Sequence, residues 1–297
     1  MAPARIWSVA LLLAFLSAAV GLQAMLEHRM PLTPAASPDV LYIRSAPVLE
    51  RLALSYRSLL ADIYWLRTVQ HYGRTKLSTA PDKQYDLLFP LLDLTTSLDP
   101  RFSVAYRFGA IFLAEPAPGG PGRPDLAIEL LQKGLRSQPN RWELAEDIGF
   151  VYYWWLNDHE QAAAWFTRAA RLPGAPEWLT PVAAMTLAKG GNRASSRRLW
   201  QEMERTAEAA WLRSSASLRL RQLDALDQID RLLVAVGQYE TRVGRSPADW
   251  RALVAVRLLP GVPVDPAGFP YGMTDGRISL HPQSPLLPLP IEGEARP

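Results

Sequence analysis

Past the prolines at 31, 34 and 38, apolar residues return with the three-and-four spacing that gathers them on one face of a helix. Leu49, Leu52, Ala53, Tyr56, Leu59, Leu60, Ile63 and Tyr64 predict one long, heavily buried helix that starts at Pro47 and runs through Trp65 and Val69 to a stop at Gly73. From there to about Ala216, helical runs alternate with breakers at Asp99-Pro100, Pro116 to Pro124, Pro139-Asn140, Asn157-Asp158, Pro173 to Pro176 and Gly190 to Asn192. No strand-like alternation interrupts them, so a continuous helical region is expected. Leu220, Leu223, Leu226, Ile229 and Leu233 place a further amphipathic helix over Leu218 to Val236. Turn residues then crowd the chain, and Asp275-Gly276 suits a tight reversal before a strand at Arg277 to Leu280.

The first stretch follows a different pattern. Ile6 to Leu26 is a run of 21 residues without a formal charge. At about 1.5 Å per residue it would span the roughly 30 Å hydrocarbon core of a bilayer. Arg5 precedes it, while Glu27 and Arg29 cancel just after it. The expectation is an uncleaved, single-pass anchor in the inner membrane, with the bulk of the chain outside the cytoplasm in the periplasm. A cleaved signal peptide is the alternative, because Ala19-Val20-Gly21 offers small residues for a peptidase.

Alignment of the helical region against itself uncovers a repeat. Ala127, Leu131, Gly134 and Pro139 are spaced four, three and five. Leu88, Leu92, Thr95 and Pro100 keep those offsets; Ala162, Phe166 and Ala169 precede Pro173-Gly174; Ser196, Trp200 and Met203 follow. The first members lie 39, 35 and 34 residues apart. Upstream of each sits a partner helix with a residue followed three later by a bulkier one: Val69 and Tyr72, Ala110 and Leu113, Gly149 and Tyr152, Ala184 and Leu187.

On these residues the stretch from about 62 to 206 resembles the tetratricopeptide repeat, a 34-residue helix-turn-helix unit that stacks into a solenoid. Small residues there let paired helices approach, and a terminal Pro ends the second helix. Further on, Gly244 to Pro247, Leu253-Val254 and Asp265 to Tyr271 resemble the globular half of type II secretion pseudopilins, without the methylated N-terminal helix or the acidic calcium loop of that family. The expected fold class is therefore mainly α: a helical solenoid with an N-terminal transmembrane helix and a small C-terminal α+β unit. Expected divisions are an anchor over 1–29, a Pro-rich linker over 30–46, the repeat domain over 47–217, a helix with the α+β unit over 218–281, and a disordered Pro-rich tail over 282–297.

Composition narrows the chemistry. The chain has 297 residues and no Cys, which excludes disulfides, cysteine metal sites and a cysteine nucleophile. With 32 basic against 29 acidic residues the net charge is only +3, so no nucleic-acid partner is expected. His28, His71, His159 and His281 show no ligand spacing, and neither a metal nor a cofactor is expected. Gly119-Gly120-Pro121-Gly122 has a Pro where a phosphate loop needs N–H donors. Asp62, with Arg67 and His71 on following turns, is the one constellation open to an acid–base reading; capping or pairing with a neighbouring helix competes with it. Neither an enzymatic activity nor a small-molecule substrate is expected.

In the repeat family the first helix of each unit lines the inner surface. By register, that resemblance implies a partner-binding groove of Arg107, Glu146, Phe150, Tyr153 and Met185, with Arg168 facing away. The run Tyr152-Tyr153-Trp154-Trp155 is compatible with such a surface, since neighbours on a helix point about 100° apart and cannot all be buried on one side; packing against the inserted Pro/Gly loop or the C-terminal unit is the alternative. The expected function is a membrane-anchored scaffold binding protein partners in the bacterial cell envelope. An accessory subunit of a secretion or type IV pilus-like machine is the alternative.

Overall fold

The computed structural model describes residues 14–22, 25, 46–53, 55–274 and 276–290. The chain divides into two compact units, Met1–Tyr42 and Ile43–Pro297. In the first, residues 14–22 are helical and exposed. Among the described residues no helix is long and apolar enough to cross a membrane, which corrects the expectation of a single-pass inner-membrane protein. The remainder of Ile6 to Leu26, apart from Met25, lies outside the described residues, as does the linker up to Ser45.

The second unit is mainly helical with one small sheet. Its helices are α1 (Ala46–Leu52), α2 (Arg57–Leu77), α3 (Leu88–Leu98), α4 (Ser103–Ala114), α5 (Pro124–Ser137), α6 (Trp142–Trp154), α7 (His159–Ala170), α8 (Leu179–Lys189), α9 (Arg193–Thr206), α10 (Ala210–Val243) and α11 (Trp250–Ala255). All six expected breakers fall between α3 and α9. Their chemistry is local: Pro124 opens α5, where no N–H partner is needed, and the Asp158 and Asn192 side chains accept from Gln161 N and Ser195 N to cap α7 and α9. Gly244, with φ +75°, closes α10 in the left-handed conformation.

Two boundaries differ from expectation. The single helix from Pro47 to Gly73 is interrupted after Leu52, and α2 then runs past Gly73 to Leu77. Nor is α2 heavily buried: Leu59, Ile63, Leu66 and Val69 are exposed. The expected boundary between residues 217 and 218 falls inside α10, a continuous helix of 34 residues.

From α2 to α11 each helix packs on its neighbours in the chain, and α1 packs on α3, α3 on α5, and α4 on α6. Close approach is made by small residues. Gly109 faces Leu92 and Leu130, Gly134 faces Leu144 and Tyr106, and Gly149 faces Phe166. The core running through α3 to α8 centres on Tyr106, Leu131, Ile148 and Phe166, all fully buried. A second core joins Trp200 and Met203 of α9 to Leu212, Ala216 and Leu223 of α10.

A third core lies between the second half of α10, α11 and the sheet, around Leu232, Tyr239, Trp250, Leu253, Tyr271 and Leu286. The sheet pairs β1 (Gly272–Thr274) with β2 (Arg277–Ser279) antiparallel, with Gly272 opposite Ser279, and Gly276 turns at φ +74°. Residues 282–290, expected to be a disordered tail, are described and packed: Leu286 is fully buried, and Gln222 Nε2 donates to Leu286 O (2.8 Å) and Pro288 O (2.9 Å). Residues 291–297 lie outside the described residues.

Candidate functional site

An amphipathic helix of a globular protein needs one apolar stripe; α2 and α4 carry two. On α4, Ala105, Tyr106, Gly109, Ala110 and Leu113 are buried, while Val104, Phe108 and Ile111 form an exposed stripe at i, i+4 and i+7. Leu59, Ile63 and Leu66 repeat that stripe on α2, Phe150 and Trp154 continue it on α6, and Met185 is its counterpart on α8. Among the described residues, α3, α5, α7 and α9 expose no large apolar side chain. The alternation is one-sided, and exposed apolar surface gathered on one set of helices marks contact with something else.

Three of the expected groove residues meet at one cavity of about 590 Å³, which Phe150, Tyr153 and Met185 line together with Trp200, Leu223 and the segment Pro288-Leu289-Pro290. Phe150 sits edge-on to Phe166, ring centres 5.4 Å apart. Lys189 Nζ donates to Tyr153 Oη at 2.8 Å and lies 4.4 Å from the ring centre, so the cation is held by both the hydroxyl and the π face. His159 stands edge-on to Tyr153, and burial, reinforced by nearby Lys189, lowers its pKa. At the same cavity, Arg219 donates to Gln222 Oε1 at 2.8 Å, the side chain whose amide holds the carbonyls of Leu286 and Pro288.

Arg107 belongs to a neighbouring hollow of about 370 Å³, walled by Ile111, Asp147, Phe150 and Trp154. Phe150 is therefore the shared wall of the two. Glu146 is not part of the surface: it is only 6% exposed, and Asp147, itself largely buried, lines the hollow instead. Asp147 accepts from Arg107 Nε at 2.6 Å and Nη2 at 3.1 Å, a two-point contact, while Glu146 stands 3.8 Å from Nη2. Burial, then the Asp147 charge, pushes the Glu146 carboxyl up to about 7. Of the aromatic run, Tyr152, Tyr153 and Trp155 are half-buried and Trp154 is 72% exposed. Arg168 is exposed on α7 and stacks over Trp165.

The structure does not bring the other candidates together. Asp62 and His71 are nine residues apart on α2, which puts them on opposite sides; Asp62 is exposed and His71 buried. Among the described residues no cluster of three acidic or His side chains could hold a metal ion. The Gly119 to Gly122 loop is pinned by Tyr85 Oη donating to Gly119 O (2.9 Å) and by Gly122 N donating to Glu115 O (2.8 Å). Glu115 in turn accepts from Tyr72 and Lys76. Asp265 is buried and fully engaged, accepting from Ala267 N (2.8 Å), Phe269 N (2.9 Å) and Ser284 Oγ (2.5 Å). That turn holds the end unit together.

Val104, Phe108, Ile111 and Trp154 were not among the expected groove residues. The signal was present, since Ser103 to Ala114 is apolar nearly all round and packing uses only one side. No protein-family model, no curated protein and no solved structure matches the chain.

Proposed function

We propose that this chain is a non-catalytic scaffold in which tetratricopeptide-like helix pairs stack into a solenoid and offer their first helices, α2, α4, α6 and α8, to a protein partner. The observation that carries the reading is the exposed apolar stripe on those helices, which their partners α3, α5, α7 and α9 lack among the described residues. Stacking in chain order and the small residues at close approach agree with it. Phe150, shared by the two hollows, is the anchor at the centre of the face, with Tyr153, Met185 and the Arg107–Asp147 pair around it.

A photo-crosslinking amino acid at Phe108 and at Phe150 should trap the same partner, and one at Arg168 should not. With that partner in hand, Phe150→Ala should weaken binding about thirtyfold, the equivalent of about 2 kcal/mol, and Arg168→Ala should leave it unchanged. Equal binding by the two variants would refute the reading.

A further inference from the structure

The cavity beside Phe150 has an apolar floor of Phe150, Met185, Trp200 and Leu223, and two cations border it, Lys189 from α8 and Arg219 from α10. Both are half-buried. Among the described residues their hydrogen-bonding partners are neutral, the Tyr153 hydroxyl for Lys189 and the Gln222 amide oxygen for Arg219, and no carboxylate forms an ion pair with either. The same fold neutralises its other half-buried arginines nearby. Arg193 pairs with Asp227 and Asp230, and Arg197 with Asp224 and Asp227. Two cations without an acidic partner among the described residues, beside an apolar floor, suit a ligand that is both apolar and anionic.

One wall of the cavity shows which kind of chain it accepts. Pro288-Leu289-Pro290 lies along it, with the 286 and 288 carbonyls held by Gln222. Proline-bearing main chain with an apolar side chain already fits the rim. The geometry points to this cavity as the docking site for an extended partner segment that carries apolar and acidic side chains together. The apolar groups lie on the Phe150 and Trp200 floor, and the carboxylates meet Lys189 and Arg219. This rests on the reading of the α2, α4, α6 and α8 face as a partner surface and adds the chemistry of what is bound. The Coulomb component makes the contact selective for acid and sensitive to salt.

The probe is a fluorescein-labelled peptide Leu-Pro-Leu-Pro-Ile-Glu-Gly-Glu, a copy of the sequence at 287–294 that supplies both chemistries, titrated with the full chain by fluorescence polarisation. It should bind, and a version with both glutamates replaced by lysine should bind at least tenfold more weakly. Raising salt should weaken the acidic peptide and leave a glutamine version unchanged, a comparison that needs no variant protein. Lys189→Glu combined with Arg219→Glu should invert the preference, and Phe150→Ala should weaken both peptides.

If acidic and lysine peptides bind alike while Phe150→Ala weakens both, the charge chemistry is refuted and the groove stands. If neither Phe150→Ala nor the charge pair changes binding, the groove falls as well. Binding that emerges only when residues 291–297 of the full chain are scrambled would make the chain its own occupant and overturn a partner in trans. Self-association lost in the Lys189→Glu, Arg219→Glu pair would make a second copy the occupant and overturn it too.

Discussion

Gly149 stands where α6 meets α7, and adding a single methyl there tests the packing directly. A Cβ at Gly149 would lie 2.5 and 2.6 Å from Cε1 and Cδ1 of Phe166 and 3.2 Å from Ala162 O. Carbon atoms rest about 3.5–4.0 Å apart, so the Phe166 ring would have to retreat by about 1 Å. It has little room, being fully buried with Phe150 edge-on against it. Overpacking of this kind costs about 1–3 kcal/mol. The better helix propensity of Ala offsets about 0.8–1.0 kcal/mol of that, which leaves Gly149→Ala destabilised by up to about 2 kcal/mol. Gly237 in α10 is the control: a methyl there meets nothing within 4 Å, and Gly237→Ala should stabilise by about 0.4–1 kcal/mol. The two substitutions are chemically identical and should move the melting midpoint in opposite directions by circular dichroism. In a Phe166→Leu background the Gly149→Ala penalty should shrink, with a coupling of about 0.5–3 kcal/mol. A Gly149→Ala midpoint raised as far as that of Gly237→Ala would refute the close approach of α6 and α7.

Glu146, with a folded pKa of about 7 against an ordinary 4.5, is disfavoured as an anion by the fold. Its penalty is absent below about pH 4.5, grows as pH rises and is complete above about pH 7. Glu146→Gln should therefore melt higher than the parent at about pH 8, with the gain gone by about pH 4.5; a pH-independent difference would refute the burial. Gln222→Leu removes the donor to Leu286 O and Pro288 O, which should cost about 1–3 kcal/mol and speed proteolysis between 281 and 290. Unchanged proteolysis would mean that the burial of Leu286 and the Ser284–Asp265 hydrogen bond hold the segment without Gln222.

What was legible in the sequence follows from the range of the interaction that decides it. Helix ends between α3 and α9 are set within a few residues, by Pro124, Asp158, Asn192 and the turn prolines, and the expected breakers coincide with them. The Gly276 turn was readable for the same reason. Register is harder: Glu146 and Asp147 are neighbours separated by about 100°, and only the position of α4 decides which one meets Arg107. Residues 282–290 look like a tail by composition, yet Gln222, 64 residues before Leu286, fixes them. The second stripe on α4 was visible as an excess of apolar residues, although its meaning needed the burial of the first.

The helix α10 has a consequence for how the helical region unfolds. It is about 51 Å long and supplies Leu212, Ala216 and Leu223 to one core and Leu232, Val236 and Tyr239 to another. Stacked helices that touch only their neighbours can fray one after another from a free end. Here the last pair does not end free: its final helix is also the first beam of the sheet-bearing unit. Melting α9 away from α10 therefore exposes apolar surface on a helix still anchored at its far end, which removes much of the entropy that fraying would gain. The C-terminal unit acts as ballast, holding the last helices of the stack in the arrangement that shapes the cavity.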